Sequence, residues 1–365
     1  MKKASEKPIF FIVCAGRSGS TLMQLMLDAN PNIIAPIESR FIIFLYAKYA
    51  HTRKWNYKQL LQFYEDLFLD EKIYYLWNLD RENLKQEILN QPSNTSFSQL
   101  CKLVYAHYIS FFEKENKQII VDKNPINSLF IPELLKLFPK AKFIHLIRDP
   151  RASCRSHCKA EMQPNYFAAA YMWKDYNTAI EKNKSKLPKN RFLSVYYEHF
   201  VDNPIDTLKE ISQFLGIEFN SKMLNFNEHL KKGIVEELIE KNTAESKMKL
   251  QLFHKYHKNT KKPINKNSLN LWKNDLSEED IAVIEKICMS FMKQYNYKTV
   301  SDIEIKTPFL EKLTHQVKNY IIKIYYLSPV FMRVFYSNIN SSLKPKIFHN
   351  ISDEIKKLNA SSTNR

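Results

Sequence analysis

The sequence predicts an α/β fold: a P-loop-like parallel sheet flanked by helices, with a helical insertion and a C-terminal appendage. Three observations carry that prediction. A continuous apolar run, "PIFFIV", leads directly into a glycine-bearing turn and then a helical pattern. Further strand-like runs alternate with helical segments along the first 300 residues, which calls for crossover connections and a parallel sheet. The composition, 44% hydrophobic and 25% charged over 365 residues, is that of an ordinary globular chain and excludes a disordered or fibrous one.

The elements follow in order. After "PIFFIV" and its turn, "STLMQLMLDANP" places Leu22, Leu25 and Met26 at helical spacing, and Asn30-Pro31 stops it. Residues about 56 to 115 contain amphipathic helical stretches, "YKQLLQFYEDLF" and "FSQLCKLVYAHYISFF", and read as a helical insertion that covers a substrate. "KQIIVDKNP" is the second strand, "IPELLKLFPKA" a helix, "KFIHLIRDP" the third strand and "RFLSVYYE" the fourth. Ser246 to Lys266 carries seven lysines and no acid, and reads as a mobile basic segment. Residues 1–300 form the main domain. Residues 301–365 form a helical, basic appendage that contains the aromatic stretch "NYIIKIYYLSPVFMRVFY" and ends in polar "NASSTNR".

The 55 Lys+Arg against 38 Asp+Glu leave a net charge of +17. Such a charge suggests nucleic acid first, yet no nucleic-acid motif is present and the aromatics are spread, so no nucleic-acid partner is expected. An anionic ligand or a membrane surface accounts for the sign better; residues 319–336 could make a peripheral membrane contact, though packing onto the domain or a partner chain is the favoured reading of that stretch. Five scattered cysteines argue for a reducing compartment; Cys154 and Cys158, one helical turn apart around His157, read as buried thiols rather than a metal site. The start imitates a signal peptide, but Glu6 and Pro8 interrupt it, and every 18-residue window contains a charge. The expectation is a cytoplasmic protein with some membrane association.

Glycine is scarce: four residues, where average usage of about 7% would give roughly 25. Two of them, Gly16 and Gly19, fall in "AGRSGST" between the first strand and its helix. A turn there needs positive φ angles and close backbone approach, and it aims several N–H groups at one point beside a helix N-terminus. That is an anion site. It is not a Walker loop, because only Arg17 and Ser18 separate the glycines and no lysine precedes Ser20-Thr21. The third strand runs into "RDPRASCRSH", where Arg148, Arg151 and Arg155 lie within eight residues at the carboxyl end of a parallel strand. This predicts a second anion site, separate from the glycine turn.

Together these segments resemble the PAPS-dependent sulfotransferase family, whose donor is 3′-phosphoadenosine 5′-phosphosulfate (PAPS). The likeness covers about residues 8 to 297 and is greatest to the branch of protein-tyrosine sulfotransferases and their bacterial relatives. It implies that Gly16, Arg17, Ser18, Gly19, Ser20 and Thr21 hold the 5′-phosphosulfate, and that Arg148 and Ser156 hold the 3′-phosphate. "VYYEHFVDNP" puts Tyr197 near the adenosine, and "SLNLWKNDL" puts Asn270 where that branch carries a serine. "LMLDANPNIIAPIESR" places Glu38 at the catalytic base and Arg40 two residues on, at the acceptor; "DKNP" places Lys123 at the catalytic lysine. These residue types suit the chemistry. Sulfuryl transfer to a glycan, lipid or tyrosine hydroxyl is an in-line displacement that needs positioning and fixed charge. Arg17 and Lys123 would stabilise the departing bridging oxygen without a metal ion, and Glu38 would take the acceptor proton. His107 reads as structural. Two other functions remain compatible with the turn: a nucleotide-dependent phosphotransferase, and a non-catalytic anion-binding module.

Overall fold

The computed structural model describes residues 6–228, 266–305 and 309–328. Strand β1 (Ile9–Val13) is buried at every residue, which is why it carries no polar alternation. It occupies the centre of a five-stranded sheet of order β2-β3-β1-β4-β5, with β2 Ile33–Ile34, β3 Ile119–Lys123, β4 Lys142–Ile147 and β5 Phe192–Tyr196. All four pairings are parallel. The register sets Ile12 opposite Lys123 on one side and opposite Ile144 on the other. The carboxyl ends of all the strands therefore open on the same edge. The edge strand β2 has only two residues, too short for any hydrophobic period to announce, and it raises the four expected strands to five.

Helix α1 (Ser20–Asp28) follows β1, and α2 (Phe41–Tyr49) follows β2. The insertion folds as α3 (Tyr57–Leu67), α4 (Glu71–Leu76), α5 (Arg81–Leu89) and α6 (Phe97–Ala106). Each starts on a side-chain cap, from Asn56, Asp70, Asp80 and Ser96 in turn. Trp55, Phe63 and Phe97 close around Tyr49 to give this layer its own aromatic core. The helix expected to run through "YAHYISFF" ends at Ala106. There Tyr108 forms a bridge with Leu79, and the Ile109 N–H donates to the Asn78 carbonyl at 2.8 Å, drawing the chain into extended form.

Helices α7 (Ile131–Leu137), α8 (Pro150–Lys159), α9 (Tyr166–Lys184), α10 (Tyr197–Asp202) and α11 (Pro204–Leu215) complete the crossovers. They are followed by α12 (Trp272–Asp275), α13 (Glu278–Gln294) and α14 (Phe309–Leu327). Helix α14 lies against α2 and α9 and buries Ile322 and Tyr326. None of the described helices is long and apolar enough to cross a membrane. The basic run Ser246 to Lys266 falls outside the described residues except for Lys266, as does the stretch 329–336 of the expected membrane contact.

Candidate active site

Every residue expected at the site lies at or just beyond a strand's carboxyl end, apart from Asn270 and Ser156. The turn 16–19 follows β1, Glu38 follows β2, Lys123 ends β3, Arg148 follows β4 and Tyr197 follows β5. A parallel sheet offers its ligand crevice there.

The glycine turn is built from side chains pinned to backbone. Ser18 Oγ donates to the Ala15 carbonyl at 2.7 Å, and Ser128 Oγ both accepts from the Cys14 N–H and donates to its carbonyl. The positive φ angles fall on Arg17 (60°) and Gly19 (87°), not on Gly16. Gly16 is small for another reason: a Cβ there would stand 2.9 Å from Cε1 of His157, a buried imidazole pushed down to about 3 by burial. At Gly19 a Cβ would meet the Tyr197 ring at 2.0 Å. Gly19 also precedes α1, so the free N–H groups of that helix open beside the turn. Ser20 is buried and Thr21 exposed.

The segment expected to form a second anion site is continuous with the glycine turn rather than separate from it, because β1 and β4 are neighbours and their loops touch. Arg148 Nη1 donates to the Arg17 carbonyl at 2.9 Å, Ser153 Oγ to the Gly16 carbonyl at 3.0 Å, and Arg17 Nε to Ser156 Oγ at 3.0 Å. The three arginines of "RDPRASCRSH" separate into different roles. Arg151 is held by Asp149 and Glu285 beneath Trp272, and Arg155 by Asp275. Arg148 has no carboxylate partner among the described residues; its hydrogen bonds go to the Arg17 and Ser268 carbonyls, and its buried Nε has none. It lies over the Tyr197 ring, 4.5 Å from the centroid. Arg17 is exposed as a residue, but the partial screening of its guanidinium from water and the like charge of Arg148 both press on its charge. Two guanidinium groups with no carboxylate in ion-pair contact among the described residues, beside a turn of free N–H groups, fit a bis-anionic ligand. Asn270 contributes least: it is exposed, and its segment reaches Arg148 through the Ser268 carbonyl instead.

On the other side of the turn, Glu38 and Lys123 meet at 2.9 Å. Glu38 follows β2 and Lys123 ends β3, so the pairing of these neighbouring strands brings them together. A residue that the sequence reading missed completes the group: Lys72, on α4 of the insertion, pairs with the other oxygen of the same carboxylate. Burial pushes the Glu38 carboxyl up, but Lys123 and Lys72 outweigh it and hold the group well below the usual carboxylate range. Arg40 Nη1 donates to Tyr326 Oη of α14 at 3.0 Å, and its guanidinium also feels the charge of Glu38.

The loop carrying Glu38 is tied down by groups that no local pattern revealed. The Asp70 carboxylate caps α4 and also accepts from Ser39 Oγ (3.0 Å) and the Arg40 N–H (2.9 Å). Trp77 Nε1 donates to the Ile37 carbonyl at 2.8 Å, and Asn124 Nδ2 to the Ser39 carbonyl at 2.8 Å. Only Asn124 carried a signal, as part of "DKNP". His107, at the end of α6, pairs with Glu87 at 2.6 Å. Cys154 is fully buried and Cys158 partly so, its thiol pushed up to about 11 by burial.

A model of the Sulfotransferase family matches residues 8–221, more than half of the chain. The chain belongs to the sulfotransferase family. It is 25% identical to a protein-tyrosine sulfotransferase of Drosophila melanogaster over 62% of its length, and 26% identical to protein-tyrosine sulfotransferase 2 of Gallus gallus over 74%. It spans 42% and 64% of those two relatives. Among solved structures, the sulfotransferase domain from the Synechococcus olefin synthase is similar in fold, with a TM-score of 0.56 at 22% identity, covering 80% of this chain and 95% of that one. The site described above falls within the family match, except for the groups that come from beyond residue 221: Ser268, Asn270, Trp272, Asp275, Glu285 and Tyr326.

Proposed function

We propose that this sulfotransferase-family protein moves a sulfuryl group from PAPS to a hydroxyl acceptor. The observation that carries the reading is the Glu38–Lys123 pair at 2.9 Å, beside a glycine turn flanked by two guanidinium groups that make no ion pair among the described residues. Bound there, PAPS would supply the activated sulfuryl group. Gly16 to Thr21 would hold its 5′ end on backbone N–H groups and side-chain hydroxyls. Arg148 and Ser156 would hold the 3′-phosphate, and Tyr197 the adenosine side. Lys123 and Arg17 face the place where negative charge grows on the bridging oxygen, and stabilise it. Glu38 takes the proton of the attacking hydroxyl. Arg40 orients the acceptor from beneath α14. A phosphotransferase on the same turn would want the lysine that the turn lacks.

Tyrosine hydroxyl is the first acceptor to test, since the curated relatives reported above are named for it. Glycan and lipid hydroxyls are the other arms of a screen with labelled PAPS. The donor assignment has its own test. Adenosine 3′,5′-bisphosphate should bind at least tenfold more tightly than 5′-AMP, because a charged hydrogen-bonding partner is worth about 1.5–3 kcal/mol. Equal affinities in calorimetric titration would remove Arg148 and Ser156 from the 3′-phosphate.

A further inference from the structure

Glu38 meets two lysines that approach from different parts of the molecule. Lys123 stands at the end of β3, next to the glycine turn, and holds Oε2; Lys72 comes from α4 in the insertion and holds Oε1. Asp70 fixes the start of α4 to the backbone of Arg40, so Lys72 and Glu38 are parts of one clamp that does not include the donor turn. Lys123, by contrast, has two claims on it: the Glu38 carboxylate now, and the bridging oxygen of the donor during transfer.

We propose that Lys72 is a positioning residue for Glu38, a standing counter-ion that keeps the carboxylate charged and oriented when Lys123 turns to the donor. The inference rests on the reading of Glu38 as base and Lys123 as donor-facing. Departure of Lys123 frees Oε2, the oxygen that receives the acceptor proton, while Oε1 stays on Lys72. The other charged or titratable groups felt at Glu38 have hydrogen-bond partners elsewhere or carry no positive charge. Arg40 is engaged by Tyr326 and Asp70. Arg17 is on Ser156, Asp122 has the same sign as Glu38, and the Cys14 thiol is pushed up to about 12 by burial. Without Lys72, the donor-bound state would leave a half-buried carboxylate with burial pushing its pKa up and no close ammonium opposing it. It would take up a proton and cease to be a base.

That proton is measurable without knowing the acceptor. Adenosine 3′,5′-bisphosphate is titrated by calorimetry at pH 5.5 in two buffers of different ionisation enthalpy. The samples are the wild type, Lys72→Gln, Lys72→Arg and the double variant Lys72→Gln/Glu38→Gln. Lys72→Gln should take up about 0.5–1 proton more per nucleotide than the wild type, from a carboxylate carried across the working pH. Lys72→Arg should behave as the wild type, and the double variant should lose the extra uptake. Affinity should stay within about threefold throughout. If Lys72→Gln does not fold, Lys72→Met carries the same reading with the same stem length. Normal binding without the extra proton would overturn the role of Lys72 and leave the donor site standing. A tenfold loss of affinity in folded Lys72→Gln would also overturn it, by placing this lysine on the donor. Failure of the wild type to bind the bisphosphate would overturn the donor reading itself, and this proposal with it.

Discussion

The two halves of the site are made differently. The half proposed to hold the donor comes from short contiguous segments, "AGRSGST" and "RDPRASCRS", each starting where a central strand ends, and its contacts are mostly backbone to side chain. The half proposed to serve the acceptor is assembled from Glu38, Lys72, Lys123 and Tyr326, which come from four different parts of the chain and meet only when it is folded. The difference teaches that binding an anion can be encoded locally, since a turn and a helix N-terminus suffice. Holding a base at a chosen charge and angle needs groups converging from several directions.

The largest expected effect tests whether the acceptor half is chemical at all. Glu38→Gln should lower the single-turnover rate by about 10²–10⁴-fold while leaving bisphosphate affinity unchanged, since a base acts in the transition state. Wild-type turnover in that variant would dissolve the contrast between the halves and move the search for the base to the histidines. The next effect breaks the donor half alone. Gly19→Ala combines a φ of 87° with a Cβ 2.0 Å from the Tyr197 ring, so bisphosphate affinity should fall by more than about tenfold, 1.4 kcal/mol, as the ring is displaced. Gly216→Ala is the control: its φ of 74° is similar, but a Cβ there meets nothing within 4 Å. It should cost about 1 kcal/mol of stability and no nucleotide affinity. The smallest effect sharpens the acceptor half. Tyr326→Phe removes the hydroxyl held by Arg40 and should cost about 0.5–1.5 kcal/mol, read as a rise of a few-fold in acceptor KM with bisphosphate affinity unchanged.

How much of this was legible in the sequence follows the same division. The alternation of strands and helices gave the parallel sheet, and the placement of scarce glycines gave the anion turn, because both are local signals. The positions of the positive φ angles were misread by one residue: Arg17 takes the left-handed conformation, and Gly16 makes room for His157, which lies 141 positions on. Composition could not sort the three arginines either. Whether a guanidinium serves a ligand or an interior carboxylate depends on Glu285 and Asp275, which reach α8 from beyond residue 270. Lys72 carries no local signal, since its pairing with Glu38 depends on Asp70 folding back onto the Glu38 loop. Tyr326 lay in an aromatic stretch whose pattern shows an apolar face but not which ring reaches Arg40.

The central position of β1 has a consequence for how the chain reaches its native state. Its five buried residues pair with β3 and β4 and with no strand nearer in sequence, so the earliest partner, Ile119–Lys123, is made about 110 residues after Ile9. At about 5–20 residues per second, a nascent chain carries an unpaired "IFFIV" for roughly 6–22 seconds before either neighbour exists. Loop closure over that span makes the pairing slow even once both strands are present. The same segment that later carries the glycine turn to the sheet's carboxyl edge is thus, during synthesis, an exposed template for aggregation, and its protection falls to whatever binds apolar nascent chain.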